Sequence, residues 1–184
     1  MTLSDIMDAL SFVSVPDLRE EQQFELLSIR NQQIIRESSY SSHVIEDNEH
    51  LRWIEQLQTD PSLTFYAVLY DEEIVGGVGL RNIDAEKNTA EWSFYVSEGA
   101  AGRGIGLGLG IMALDLFFEE LCLETVIGEA LLANKASVTY HLKLGFREIA
   151  QQQHLVQPGN RMDDIAVFSL EKTDWQNSKA AFGI

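Results

Sequence analysis

AEWSFYVSEGAAGRGIGLGLGIMALDLFFEE, residues 90–120, reads as three successive elements. Residues 92–96 are aromatic or β-branched apart from Ser93, which is strand composition. Glycine then crowds residues 99–108. Beyond it, Leu109, Met112 and Leu116 recur at helical spacing, and Ala113, Phe117 and Leu121 widen the apolar face. The unit is strand, glycine loop, helix.

That order has a chemical consequence. The first N–H groups of a helix have no partner inside it, and the helix dipole places partial positive charge there. Gly104, Gly106 and Gly108 carry no Cβ, so a ligand can come close to the backbone. Arg103 can add a charged contact. A glycine-rich turn can also be no more than a turn. The strand before it and the amphipathic helix after it favour an anion site suited to phosphate. The loop lacks the Gly-Lys-Ser/Thr ending of a P-loop. Its alternating glycines and mid-chain position also differ from a G-x-G-x-x-G opening a βαβ unit.

Arg103-Gly104-Ile105-Gly106-Leu107-Gly108 matches Arg/Gln-x-x-Gly-x-Gly/Ala in full. It resembles the acyl-CoA pyrophosphate loop of the GNAT N-acetyltransferases. A second segment, EALLANKASVTYHLKLGF at residues 129–146, resembles that family's Asn-x-x-Ala/Ser-x-x-x-Tyr-x-x-x-Gly-Phe. Asn134, Ser137, Gly145 and Phe146 fall in register. His141 stands at the Tyr position, and Tyr140 lies one residue early. The resemblance covers residues 16–171. It implies an α/β (α+β) GNAT fold: a mixed, mostly antiparallel sheet, helices on both faces, and a splay between the two central strands for the pantetheine arm. It also implies acetyl-CoA as acyl donor. The residues implied to hold it are Tyr95 and Val96, the loop from Arg103 to Gly108, and Asn134, Ser137 and His141.

The 184 residues suit one domain. Its core spans about residues 11–172, with peripheral segments at either end. Apolar residues make up 45% of the chain, enough for a substantial interior. The formal charge of −16 argues against nucleic acid and against anionic membrane surfaces. No apolar run approaches membrane length, and no basic start precedes an apolar segment. The chain therefore reads as cytoplasmic. Its single cysteine, Cys122, sits between Leu121 and Leu123 and reads as a buried thiol in a reducing compartment. The histidines show no metal-ligand spacing such as H-E-x-x-H, so no metal is expected. A homodimer is left open.

Local signals place the other elements. Residues 1–10 predict an extra helical turn or a loose end. Residues 12–15 read as a strand. Asp17 reads as an N-cap with Glu20 completing a capping box, and the helix runs towards Arg30. Residues 49–57 predict an amphipathic helix. Strands follow at 64–70, 74–80, 89–96 and 125–131, and a helix at 135–144. Residues 146–155 and 164–170 predict a hairpin with Pro158-Gly159-Asn160 in its turn. The tail at 175–184 carries little information.

Residues 29–57 read IRNQQIIRESSYSSHVIEDNEHLRWIEQL. Arg30-Asn31, Arg36, Tyr40 and the helix around Trp53 resemble the UDP-4-amino-sugar N-acetyltransferases of pseudaminic acid biosynthesis. On that resemblance, Arg30, Asn31, Arg36, Tyr40 and Trp53 bind the acceptor. Ser39 stands where those proteins usually carry Met. Ribosomal-protein N-acetyltransferases share the Trp-Ile helix. Helix capping accounts for Arg30 and Asn31 equally well, and a core position accounts for Trp53.

Acyl transfer to an amine needs a neutral nucleophile, a donor for the oxyanion, and a proton for the leaving thiolate. An exposed strand N–H near Tyr95 or Val96 can polarise the thioester. By resemblance the Tyr position protonates the thiolate, and His141 occupies it. An imidazole, with an ordinary pKa of about 6.5, can donate near neutral pH. Tyr140 is the other candidate acid, about 100° away around the helix. Glu91 and Glu129 are the candidate bases, with Glu129 preferred because it precedes the cofactor segment. Each of these four can instead be packed or ion-paired in place. The reading is an acetyl-CoA-dependent N-acetyltransferase acting on a primary amine of a small molecule, a nucleotide-linked 4-amino sugar favoured. A protein or peptide N-terminal amine acetyltransferase and a non-catalytic acyl-CoA-binding module are the alternatives. A proton donor with Glu129 nearby favours catalysis over sensing.

Overall fold

Seven strands form one sheet in the order β1-β2-β3-β4-β5-β7-β6 in the computed structural model, which describes residues 2–156 and 161–183. They are β1 (Leu10–Ser14), β2 (Thr64–Tyr70), β3 (Glu73–Asp84), β4 (Thr89–Val96), β5 (Thr125–Leu131), β6 (Arg147–Val156) and β7 (Arg161–Glu171). Every neighbouring pair is antiparallel except β4–β5, which is parallel. This is the mixed, mostly antiparallel sheet that the resemblance implied. Asp71 and Glu72 turn β2 into β3 with φ of 50° and 70°, the left-handed pair that matches strand twist in a two-residue hairpin. The expected Pro158-Gly159-Asn160 turn lies outside the described residues.

Side-chain alternation along the strands feeds two interiors. One lies between the sheet and helices α1 (Leu3–Asp8), α5 (Ile105–Asp115), α6 (Lys135–Lys143) and α7 (Lys172–Lys179). The other lies under α2 (Glu20–Arg30), α3 (Gln33–Glu37) and α4 (Asp47–Thr59). On β4, Ala90, Trp92, Phe94 and Val96 join the first and Tyr95 the second.

Helix α5 is more than amphipathic. Ile105, Leu109, Ile111 and Leu114 point in several directions and are all fully buried. A helix apolar all round needs cover on every side. Helix α1 covers its first turns, and α7 covers its last, where the helix widens into a π turn at Leu116–Glu120.

Several local expectations change here. Of the two readings of the first residues, the helical turn holds within residues 2–10: Thr2 and Asp5 cap α1 reciprocally, and Ile6 is buried. Asp17 does not cap α2, because Val15–Asp17 forms a 3₁₀ turn; the Arg19 N–H instead donates to Gln22 Oε1 at 3.3 Å. The tail forms α7, whose Trp175 is 1% exposed. Cys122 is exposed at φ 56°, where the chain reverses out of α5, and Leu123 takes the buried place beside it. Among the described residues, no helix is long and apolar enough to cross a membrane.

Candidate active site

The central strands separate. Strands β4 and β5 pair only at Thr89↔Thr125, Ala90↔Val126 and Glu91↔Ile127. Beyond that point β4 continues against β3 and β5 against β7. This fork is the splay the resemblance implied. The Ser97 N–H donates to Val75 O at 2.7 Å, continuing the register of Gly77↔Tyr95. Antiparallel alternation then turns the Tyr95 N–H towards β3 and the N–H groups of Phe94 and Val96 into the fork. The expected donor at Tyr95 is therefore spent within the sheet. Val96 remains, and Phe94, overlooked in the sequence, joins it.

The glycine loop opens beside the fork. Gly104 is the N-cap of α5 at φ 82°, which glycine adopts without strain. No side chain caps the helix and no acidic residue lies in its first turn. Leu107 and Gly108 donate to Gly104 O, so Ile105 and Gly106 supply the outward N–H groups. A Cβ on Gly106 would meet only Val96 Cγ2, at 3.9 Å. Gly106 therefore links the loop to the fork. Gly108 does a different job from the one expected. A Cβ there would stand 2.9 Å from Leu10 and 3.2 Å from Ile6, so its small size admits α1 rather than a ligand. Arg103 is exposed, its guanidinium carbon 5.2 Å from the Tyr70 ring centroid. The loop fits a pyrophosphate through main-chain donors and the helix dipole.

Helix α6 carries the second motif. Asn134 caps it, its Oδ1 accepting from the Ser137 N–H at 3.0 Å. That bond engages the single side-chain oxygen of Asn134 and explains the Asn-to-Ser spacing structurally. His141 is 1% exposed. Ser137 O can only accept, so His141 Nδ1–H donates to it at 2.8 Å; the Trp92 indole N–H donates to Nε2 at 3.1 Å. With both ring nitrogens engaged, His141 has no proton to hand to a thiolate. Burial, partly offset by the Ser137 bond, pulls its pKa down to about 4. The acid role expected for His141 is thus replaced by a role in packing.

This has a measurable consequence. The folded value is depressed, so as pH falls the unfolded chain takes up the proton first. Stability present above about pH 6.5 is lost progressively towards pH 4, by an order of 3 kcal/mol in all. His141→Phe should lack this increment, so its melting temperature should fall less between pH 7 and 4 than that of the wild type. Parallel pH profiles for the two proteins would rule it out.

Tyr140 lies between α5 and α6. Its O–H donates to Gly106 O, and a Cβ on Gly110 would collide with the phenol oxygen. Burial raises its pKa and keeps it protonated.

Glu91 and Glu129 emerge on the opposite face of the sheet. The Arg81 Nε–H donates to Glu91 Oε2 at 2.9 Å, and an Arg81 Nη2–H donates to Glu129 Oε2 at 3.1 Å. Asn82 donates to Glu91 Oε1 at 2.9 Å, and Tyr40 O–H donates to Glu129 Oε2 at 2.8 Å. Burial and the Glu129 carboxylate raise the Tyr40 pKa. Sequence reasoning missed Arg81, since strand β3 runs on to Asp84 rather than ending at Leu80.

The other acceptor candidates divide. Asn31 exchanges two 2.9 Å bonds with the backbone of Ile45. Arg36 donates to Asn31 O and Ser42 O. Both pin the loop that delivers Tyr40. Trp53 packs edge-on to Phe65, which stacks on Tyr95 at 6.0 Å. Arg30 lies over the Tyr95 ring at 6.0 Å. Its Nη1 is buried with no hydrogen-bond partner among the described residues, and burial lowers its pKa. Among the described residues, no group of three or more His, Cys, Asp or Glu is placed to hold a metal.

Known proteins agree with this geometry. The model of the acetyltransferase (GNAT) family matches residues 26–146. The SPbeta prophage-derived uncharacterized N-acetyltransferase YokL of Bacillus subtilis is 26% identical over 129 residues, 70% of this chain and 73% of that protein. The putative ribosomal N-acetyltransferase YdaF of the same organism is 27% identical over 112 residues, 61% of each. The spermidine N-acetyltransferase of Vibrio cholerae, solved with CoA and spermine, superposes with a TM-score of 0.82 at 18% identity, covering 92% of this chain and 99% of that one. The Campylobacter jejuni N-acetyltransferase PseH, solved with acetyl coenzyme A, gives 0.68 at 18% identity, covering 89% and 99%. At these identities the two structures share the fold. A family match across most of the chain, the strand fork and the open glycine loop converge, and the protein belongs to the GNAT family as an acetyl-CoA-dependent N-acetyltransferase.

Proposed function

We propose that the enzyme acetylates the primary amine of a small acceptor that also carries a phosphate, a nucleotide-linked 4-amino sugar being the favoured class. The observation that carries this reading is Arg30. A guanidinium N–H buried without an acceptor is costly, and an anionic ligand group would satisfy it with a charge-assisted bond. Arg36 and Asn31 contribute indirectly, by holding the Tyr40 loop.

In the proposed reaction Glu129 takes a proton from the amine, whose nitrogen attacks the thioester carbonyl. The Phe94 and Val96 N–H groups hold the carbonyl oxygen as it gains charge. The C–S bond breaks, and the sulfur takes its proton from Tyr140, whose O–H leaves Gly106 O to give it and which inherits the acid role from His141. Glu91 supports Glu129 through Arg81.

A cationic acceptor, a polyamine or a basic N-terminal peptide, is the second reading. The formal charge of −16 favours it through long-range attraction. Thiol release should be followed with a UDP-4-amino sugar, spermidine and N-terminal peptides. The amino sugar should give the highest kcat/KM. Arg30→Gln should raise its KM more than about tenfold, with acetyl-CoA affinity kept and the loss shrinking at high salt. Preference for spermidine or a peptide, unchanged in Arg30→Gln, would put the cationic reading in its place.

A further inference from the structure

The first residues past the last β4–β5 pair are Trp92 and Gly128. No strand-to-strand bond joins them, yet they are connected. The Trp92 indole N–H reaches across to His141 Nε2. The edge of the same imidazole rests on Gly128, where a Cβ would lie 2.5 Å from Cδ2 and Nε2 and 2.9 Å from Trp92 Nε1. The imidazole also stacks on Phe168 of β7 at 4.7 Å and 8°. His141 thus touches β4, β5 and β7 at the crotch of the fork.

We infer that His141 is a positioning residue that sets the spacing of β4 and β5 at the fork. Its ring substitutes for the missing ladder bonds: it holds Trp92 by a hydrogen bond and bears on Gly128 by contact. A ring fixed at both nitrogens cannot rotate, so the spacing it imposes is fixed as well. Gly128 is the complement, since any side chain there would push the imidazole off the strand. The groups facing the ring are Trp92 and Phe94 from β4, Gly128 from β5, Phe168 from β7, and Ser137 O, Tyr140 and Phe146 around it. None is charged, so the ring acts by shape and hydrogen bonding.

This inference rests on the pantetheine arm lying in the fork while the nucleotide half lies on the glycine loop. The two halves of the donor therefore report separately. Calorimetry should compare acetyl-CoA with 3′-phosphoadenosine 5′-diphosphate, which has no pantetheine. His141→Phe keeps a ring but loses both bonds. Its acetyl-CoA affinity should fall at least about tenfold, while the nucleotide half binds within about twofold of wild type. His141→Gln, which can still accept from Trp92, should recover part of the loss. Should His141→Phe not fold, Trp92→Phe removes the same bond and gives the same readout. Equal affinities in variant and wild type, or equal losses for both ligands, would overturn the inference. Neither result touches the acceptor assignment, which no part of this experiment uses. Failure of acetyl-CoA to bind the wild-type protein would instead remove the donor reading itself.

Discussion

Glu129→Gln should slow acetyl transfer by about 10²-fold or more at saturating substrates, the usual scale of a lost proton-transfer group. The substitution is nearly isosteric. The amide oxygen can still accept from Tyr40 and Arg81, so the Tyr40 loop and the Arg81 bridge to Glu91 stay in place. Only the capacity to take a proton goes. Tyr140→Phe is the counterpart on the leaving-group side and should slow the same step on the same scale. Acetyl-CoA affinity, read by calorimetry, should hold in Glu129→Gln. Full rates in Glu129→Gln would assign that carboxylate to its ion pair with Arg81. Proton uptake would then pass to Glu91 or to solvent.

Trp175→Ala should destabilise the fold by about 3–5 kcal/mol, the range for removing a large buried aromatic side chain. Trp175 is among the largest fully buried side chains, and its indole N–H donates to Asp115 Oδ1 at 2.9 Å. Lys179 donates to the other Asp115 oxygen at 2.6 Å, and Lys172 donates to Phe118 O at 2.7 Å. The side chains of α7 thus tie down the end of α5. Chemical denaturation should show the midpoint falling sharply. A shift under about 1 kcal/mol would show that the helix end is secured without α7.

Parts of the chain differ in how far their structure is set by neighbouring residues. The strand, loop and helix at residues 90–120 are legible because periodicity, glycine content and helix-end chemistry act over neighbouring residues. The strands at 64–70, 89–96 and 125–131 coincide with the observed ones for the same reason. The fork is different. Nothing near Glu91 or Ile127 marks the end of their pairing, and it takes Trp92, Gly128 and His141, from three elements, to account for it. His141 aligned with a Tyr by register, but its chemistry is decided by an indole 49 residues away. Arg36 and Asn31 aligned with acceptor residues, yet their bonds go to backbone groups of their own loop. Trp175 lies among polar neighbours, so its stretch shows no apolar periodicity; one indole and the Asp115 pairing suffice to dock α7. A lone Trp in a polar, helix-compatible stretch was the available signal.

Helix α5 draws its cover from residues made at widely different times. Helix α1 is synthesised long before the helix it packs on, and α7 follows long after, with Trp175 60 residues beyond Asp115. A nascent chain that has just completed α5 therefore carries a helix apolar on nearly every side and covered at one end only. Strand β5, made next, must then await β7, its antiparallel neighbour. Such distant pairings form slowly and leave apolar surface exposed while they wait. Phe168, on which the His141 ring stacks, belongs to β7, so the fork is complete only once residues 161–171 are available. Chaperone capture during synthesis should accordingly concentrate on the interval after α5 is made and before α7 docks.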